Sequence, residues 1–416
     1  MNPEMAASGT KVLMLASVAS MIRQFNMENI TLLQDMGYQV HVTCNLKTGN
    51  TCDDKELKKM CRLLGDAGVI LHQWDCPRSA YAFFECCRAY RQLCGLLKRE
   101  DFAWMHCHSP VGGVLGRLAA YRFCIPVLYT AHGFHFYRGA PLRNWLLYYP
   151  PEKLLARFTK ALVTVNREDD AFARKNLKAQ NMFRIPGVGI DPVRFATGAS
   201  RLEDRARFCK TYGIAQDAVI LLSVGELSRR KNHRAVIAAM AGLSEKKICY
   251  MICGQGALRD SLLRLAHRYH VADRVRLVGY QSDPGLFYQN ADLFVFPSLQ
   301  EGMPVALMEA MAAGMPCIAS AVRGNRELLA GREAAKAGHK QAQRGLVWPI
   351  TVPGGILFRP RKQKELQKAL EQMLNMRMSW KVFGEQNRRQ VRCCQISMVQ
   401  RRMKRIYQVM GRGSGR

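Results

Sequence analysis

The stretch Phe294–Ser320, FVFPSLQEGMPVALMEAMAAGMPCIAS, reads as strand, loop, helix and strand in immediate succession. Leu293 to Phe296 is a short apolar run of the kind a buried strand needs, and Pro297 and Gly302 mark a loop. A helix opens near Pro304 and breaks at Gly314-Met315-Pro316. Two carboxylates bracket the helix entry, Glu301 in the loop and Glu309 inside the helix, with seven residues between them. The first amides of a helix lack intrahelical partners and the helix dipole adds positive charge there, so this entry is a place for an anion. A carboxylate one turn further on can reach the hydroxyls of a sugar attached to that anion, as an acidic residue does in dinucleotide-binding folds. An ordinary buried helix carrying two acids reads the same in isolation, so the rest of the chain decides.

Working outward, the same strand and helix alternation fills the second half, with strands expected at Val219 to Val224, Ile248 to Cys253, Val275 to Gly279, Leu293 to Phe296 and Cys317 to Ala321. The first half repeats it, with strands at Lys11 to Ala19, Tyr38 to Cys44, Gly68 to Trp74, Trp104 to Ser109, Val127 to His132 and Leu162 to Asn166. Helices fall between, for example Phe25 to Met36 and Tyr81 to Leu97. This is the pattern of parallel sheets with crossover helices, and at 416 residues the chain is long enough for two such domains. Pro and Gly cluster at Ile185 to Phe195, the expected linker. The expected division is 1–190, a first Rossmann-like domain, 191–390, a second, and 391–416, a basic C-terminal helix and tail. Ala330 to Trp348, rich in Gly, Ala, Lys and Gln, is expected as a surface loop or short helix, and the chain from Glu365 to about Met410 as helical.

Composition narrows the partners. Sixty-two Lys and Arg face 32 Asp and Glu, a formal charge of +30, which calls for an acidic partner such as nucleic acid, an anionic membrane or phosphorylated substrates. No helix-turn-helix, zinc-finger or RNP-type signature is present, so a membrane surface is favoured over nucleic acid. No apolar run approaches the ~18 residues of a membrane span. MNPEMAASGT leads straight into strand-like residues without a signal-peptide pattern. The 15 cysteines are scattered, odd in number and without a C-x-x-C pair, which fits a reducing cytoplasm and argues against structural zinc.

In parallel sheets ligands gather at loops after strand C-termini. Three such loops stand out in the first half: Ser17 to Asn26, the run His106 to Gly113, and Ala131 to Tyr137. His132, at a strand end beside Gly133, is a candidate for binding or proton transfer, or else a structural histidine. His106 and His108 share one side of a strand; with no carboxylate adjacent, metal binding there is disfavoured. In the second half Arg229-Arg230-Lys231 follow a strand; if their loop meets the one before Pro304 they would neutralise a diphosphate leaving group without a metal, and otherwise they form a basic helix start on the surface. Gly254-Gln255-Gly256 is consistent with close backbone approach of a ligand or with a plain turn.

The combination GELSRRKNH, GQG, LVGYQSD and FPSLQEGMPVALMEAMAAGMPCIAS resembles the donor domain of family 4 retaining glycosyltransferases of the GT-B fold. VASMIRQFNMENITLLQDMGYQVHVTCN, HCHSPVGGVLGRLA, VLYTAHGFHFYRGAPLRNWLLYYPPEKLLARFT and PGVGIDPVRF are similar to bacterial exopolysaccharide and capsule glycosyltransferases acting on polyprenyl-diphosphate-linked sugars. The resemblance, covering roughly Lys11 to Ala369, implies two Rossmann-like doubly wound domains facing a cleft, with the C-terminal helix crossing back to the first domain. It implies Glu309 on the nucleotide ribose, Glu301 at the donor sugar, and the amides of Gly302, Met303 and Val305 near the sugar hydroxyls and phosphates. Lys231, with Arg229 or Arg230, would hold the diphosphate; Gly254 and Tyr280 would line the donor site, Tyr280 near the base; His132 would contact the donor sugar. Phe134, Phe136, Tyr137 and Arg138, with Asn144 to Tyr149, are candidates for the acceptor and lipid side, or else a core helix with snorkelling ends.

The expected reaction moves a sugar from a nucleotide-sugar, UDP-linked and with an N-acetylhexosamine as a candidate, to a polyprenyl-diphosphate-linked saccharide. It belongs to exopolysaccharide, capsule or O-antigen synthesis, proceeds with retention, and takes place at the cytoplasmic face of the cell membrane. No metal or cofactor is expected, the nucleotide-sugar being a substrate. The alternatives are a sugar-nucleotide epimerase of the same fold and a non-catalytic basic protein binding nucleic acid or lipid. Two departures from the family pattern bear on the site: Glu226 stands where many members have Arg, and Ser20-Met21-Ile22-Arg23 stands where many have Gly-Gly. Arg323, at a position often held by Gly, is a further candidate contact for phosphate or acceptor.

Overall fold

A computed structural model describes residues 9–48, 54–195, 202–331 and 347–412. The chain divides into two compact units, Met1–Val188 with Ser397–Arg416, and Gly189–Ile396. The segment expected to stand apart at 391–416 is thus shared between them, because it packs on existing cores and forms none of its own.

Among the described residues the first unit holds seven strands: β1 (Lys11–Val18), β2 (Gln39–Asn45), β3 (Ile70–Gln73), β4 (Trp104–His108), β5 (Val127–Ala131), β6 (Ala161–Thr164) and β7 (Asn181–Arg184). They form one parallel sheet in the order β3-β2-β1-β4-β5-β6-β7, so the strand order reverses between β1 and β4. Five residues of β4 and five of β5 are all buried, as expected of central parallel strands covered on both faces. β7 escapes a sequence reading because it is short and only half-buried.

The connecting helix Pro110–Arg122 shows why glycine recurs in VGGVLG. A Cβ on Gly113 would lie 2.4 Å from the Tyr129 ring, and one on Gly116 would lie 2.6 Å from Cys107 Sγ, so the helix can approach the sheet only without side chains there. The same helix buries Arg117, whose guanidinium donates to Glu152 at 2.9 Å and lies 4.0 Å from the centre of the Tyr129 ring. Tyr129 donates to the other oxygen of Glu152 at 2.9 Å, so the buried pair is fully engaged.

The expected loop after β1 is instead a helix, Ala19–Phe25, that starts directly at the strand end. Residues Ala19, Ser20 and Ile22 bury one face of it, and a glycine-free apolar sequence has no reason to stay extended. A second helix, Met27–Asp35, follows after Asn26, splitting what reads as one helical run.

The second unit repeats the design with β8 (Val219–Val224), β9 (Ile248–Cys253), β10 (Val275–Gly279), β11 (Leu293–Phe296), β12 (Cys317–Ser320), β13 (Ile350–Val352) and β14 (Gly355–Phe358). Its order is β10-β9-β8-β11-β12-β14-β13, parallel except for β13, which pairs antiparallel with β14. β13 and β14 are additions to the five strands read from the sequence. Residues 332–346, most of the segment expected as a loop, lie outside the described residues.

The helical C-terminal region is three helices, Gln363–Asn375, Trp380–Val391 and Ile396–Gly411, separated by short 3-10 turns. The last returns to the first unit, as the sequence implies. It buries Val399, Met403, Ile406, Tyr407 and Met410, one stripe at helical spacing. Tyr407 stacks on Trp104 of β4 with ring centres 5.5 Å apart and bonds His106 Nδ1 at 3.2 Å.

Candidate active site

In the second unit the strand order reverses at β8 and β11, and the loops leaving those two strands meet. The Leu299 amide donates to the Arg230 carbonyl at 2.8 Å, and the Asn232 side chain donates to the Pro297 carbonyl at 3.2 Å. Asn232 takes a left-handed conformation at φ 57°, turning the chain sharply into the helix His233–Ala241. Arg230 and Lys231 therefore sit in a turn before that helix, pinned against the loop that carries Glu301.

Glu301 is buried, and one of its oxygens accepts from both Lys231 Nζ at 2.8 Å and Arg230 Nη1 at 2.9 Å. Burial acts to raise the Glu301 carboxyl, but Lys231 and Arg230 outweigh it and hold the group below the usual carboxylate range. Lys231 is nearly enclosed, and its ammonium lies 4.6 Å from the centre of the Phe296 ring. Burial lowers its pKa, while Glu301 works in the opposite direction. Arg230 is about half exposed and bridges to the Gln300 carbonyl, whereas Arg229 is exposed and makes no ion pair among the described residues.

Beside this pair the helix Val305–Ala312 begins. Pro304 is its N-cap and no side chain caps it, so its first-turn amides keep their capacity for a ligand. Gly302, Met303 and Val305 are all partly exposed at this end. On the next turn Glu309 accepts from the Tyr288 hydroxyl at 2.9 Å, and burial pushes its carboxyl up to about 7. The floor is set by backbone packing: a Cβ on Gly254 would lie 1.9 Å from the Gly225 carbonyl oxygen, so the loops after β8 and β9 touch only because that residue is glycine. The Gly254 amide donates to the Gly279 carbonyl at 2.7 Å, which ties in the loop carrying the partly exposed Tyr280. Arg323 is buried at the start of the helix Arg323–Leu329, and Asn325 donates to the Ser320 carbonyl at 3.0 Å, fixing the loop after β12.

In the first unit His132 follows β5, and its Nε2 lies 3.0 Å from His108 Nδ1. Burial lowers the pKa of His132 to about 4, so the ring is neutral at pH 7. His108 and His106 are fully buried with ring centres 4.0 Å apart, and His106 Nε2 lies 2.9 Å from Thr130 Oγ1. The hydroxyls of Ser17 and Ser109 lie 2.6 Å apart, tying together the ends of β1 and β4 where the strand order reverses.

Phe134 and Phe136 do not offer a surface to an acceptor. Both are buried and stack on each other with ring centres 4.8 Å apart, Phe136 also packing on Trp145 and Tyr149. Tyr137 is partly exposed and Arg138 exposed. Apolar side chains that do face outward include Leu142 and Leu146 on the helix Leu142–Leu155, Phe83 and Phe84 at the start of Phe83–Arg99, and Tyr81 just before it. Among the described residues, no three of His, Cys, Asp and Glu converge on a metal position. No helix there is long and apolar enough to cross a membrane.

Sequence reasoning missed three contacts. The clasp of Glu301 by Arg230 and Lys231 spans 71 and 70 residues, and no local pattern announces it. Tyr288 lies in an apolar stretch that gives no sign of its bond to Glu309. The His108 to His132 contact was open to inference, since β4 and β5 are consecutive parallel strands that end together.

Two such α/β domains define the GT-B class of glycosyltransferases. HepE of Anabaena, solved in complex with UDP and glucose, superimposes with a TM-score of 0.70 at 15% identity, over 96% of this chain and 99% of that one. Residues 204–390 match the family described as Glycosyl transferases group 1, and residues 22–187 match the Glycosyl transferase 4-like domain. The EpsD protein of Bacillus subtilis (strain 168), named provisionally as a glycosyltransferase, is 35% identical over 77% of this chain and 81% of its own length. An Escherichia coli UDP-Gal:alpha-D-GlcNAc-diphosphoundecaprenol alpha-1,3-galactosyltransferase is 31% identical over 56% of this chain, and the match spans 62% of that relative. The chain belongs to the group 1 and family 4-like glycosyltransferases.

Proposed function

We propose that this glycosyltransferase moves a sugar from a UDP-sugar to a hydroxyl of a polyprenyl-diphosphate-linked saccharide, with retention, in the synthesis of an exopolysaccharide, capsule or O-antigen. The observation that carries the donor half is the Lys231–Glu301 pair beside an uncapped helix start at the β8/β11 switch point. A diphosphate would take up Lys231, Arg230 and the first-turn amides of Val305–Ala312, and these would carry the charge that grows on the leaving oxygen without a metal. Glu301, already ionised, would accept from hydroxyls of the sugar, and Glu309 from those of the ribose. Tyr280 and Gly254 would complete the donor site, and His132 would contact the sugar in transfer. Support for the acceptor class comes from the E. coli relative, whose name gives a diphosphoundecaprenol-linked substrate.

The membrane side of the reading rests on charge and exposure. Leu142 and Leu146 are 73% and 70% exposed, Phe83 and Phe84 are 69% and 84% exposed, and Arg138 and Arg143 stand nearby in the chain. Apolar side chains among cations suit the headgroup region of an anionic bilayer, here the inner face of the cell membrane.

One incubation tests the reading: protein and membranes with labelled UDP-sugars, with and without EDTA. Label entering the lipid fraction despite EDTA supports it, and donor isomerised without acceptor points to an epimerase. Absence of any donor turnover, together with unaltered ligand binding by Lys231→Ala and Glu309→Ala, would count against both enzymes. The anomeric configuration of the product, read by NMR, tests retention.

A further inference from the structure

We propose that His108 is a positioning residue that holds the proton of His132 on Nδ1, so that His132 meets the substrate as a hydrogen-bond donor and not as a base. The inference rests on the reading of His132 at the donor sugar and adds the direction in which that contact runs.

Two neutral imidazoles joined by one hydrogen bond have two arrangements, set by which ring donates. His108 Nδ1 and His132 Nε2 are 3.0 Å apart. The second nitrogen of His108, Nε2, is buried and has no hydrogen-bond partner among the described residues. If His132 donated through Nε2, a neutral His108 would carry its own proton on that enclosed Nε2. A buried N–H without an acceptor is among the rarest and costliest of polar defects, whereas a bare ring nitrogen leaves no donor unpaired. His108 therefore carries its proton on Nδ1 and donates it to His132 Nε2. The proton of His132 then lies on Nδ1, the ring nitrogen with no partner among the described residues.

The ring of His108 is held for this task from behind. The His106 ring packs against it, tilted by 44° with centres 4.0 Å apart, and His106 is gripped by Thr130 through Nε2 and by Tyr407 of the C-terminal helix through Nδ1. Phe25 covers His132 with ring centres 5.7 Å apart. Burial keeps His106, His108 and His132 uncharged at neutral pH, so none of the three supplies a second proton that would blur the assignment. The chemical consequence is specific. With its lone pair on Nε2 engaged by His108 and its Nδ1 protonated, His132 has no site to take a proton from an attacking hydroxyl. It can only donate to an oxygen of the sugar or its leaving group.

Long-range proton–nitrogen NMR of the full chain labelled on its 10 histidines reads the tautomer directly, with His132 assigned by its absence from the His132→Gln spectrum. The expected result is an Nδ1–H tautomer at pH 7.5 that persists to about pH 5. A dominant Nε2–H form at His132 would overturn the proposal without any variant of His108. In kinetics, His108→Leu should mix the tautomers and lower kcat by about tenfold or more with donor KM little changed. His108→Asn, whose amide nitrogen sits near the place of Nδ1, should restore both tautomer and kcat. An unchanged tautomer and kcat in His108→Leu would also overturn it. Full transfer activity in His132→Ala, with the wild-type tautomer as assigned, would instead remove His132 from the donor sugar and leave the proton assignment standing.

Discussion

Lys231 and Glu301 are the residues on which activity and stability pull apart. Removing Lys231 takes a cation from the leaving diphosphate, and Lys231→Ala should lower kcat by about 10²- to 10³-fold, measured as label transferred under saturating donor. Each single truncation also leaves a buried charge short of its partner, so Glu301→Ala should cost about 3 kcal/mol in chemical denaturation. The pair Lys231→Met with Glu301→Leu should be more stable than Glu301→Ala while remaining inactive, since an apolar pair needs no desolvation. Glu309 gives a pH signature. Its folded pKa, near 7, lies above that of a free carboxyl, so between about pH 4.5 and 7 the folded state holds more protons than the unfolded state, and stability falls as pH rises. Glu309→Gln should flatten that slope in thermal melts taken from pH 5 to 8, and a slope as steep as wild type would show that another group is responsible. Both carboxylates were legible from their spacing about a helix start, because that depends on local sequence alone. Arg230 and Lys231 were legible as cations of the site, but their contact with Glu301, and that of Tyr288 with Glu309, was not, because contacts across 21 to 71 residues are set by how strands are ordered in the sheet.

Elements were legible where periodicity was strong, as in the strands β8 to β12 of the second unit, and illegible where tertiary packing decides. The helix Ala19–Phe25 is one such place: its residues fit a loop or a helix, and burial of Ala19, Ser20 and Ile22 selects the helix. Glycines make the opposite point, since GQG and VGGVLG are visible at once but their purpose shows only in the packing. Gly254→Ala should destabilise the second unit by roughly 1–3 kcal/mol and weaken donor binding, because a methyl group 1.9 Å from the Gly225 carbonyl must force the two loops apart. Calorimetric titration with UDP reads the second effect; full affinity in the variant would mean that the loop junction does not shape the donor site.

At the scale of the whole molecule, the net charge of +30 and the outward Leu142, Leu146, Phe83 and Phe84 predict binding to anionic vesicles that weakens with added salt. Leu142→Asp with Leu146→Asp should reduce vesicle binding at constant salt while leaving a soluble acceptor analogue in use, as sedimentation and label transfer would show. The two-domain plan was readable from the double run of strand and helix. The return of the last helix to the first unit was expected from the family resemblance; the division of residues 391–416 at Ile396 was not, since an amphipathic pattern does not mark where one core's cover ends and another's begins. That division bears on how the protein is made. The first unit leaves the ribosome with its β4 face, Trp104 and His106 included, waiting for Tyr407, while about two hundred residues of the second unit are still to be synthesised. At typical elongation rates this is an interval of roughly 10–40 s in which one apolar face of a nearly finished domain has no cover. The nascent chain is therefore most exposed to misassociation, and most in need of a chaperone, long after its first domain has otherwise folded.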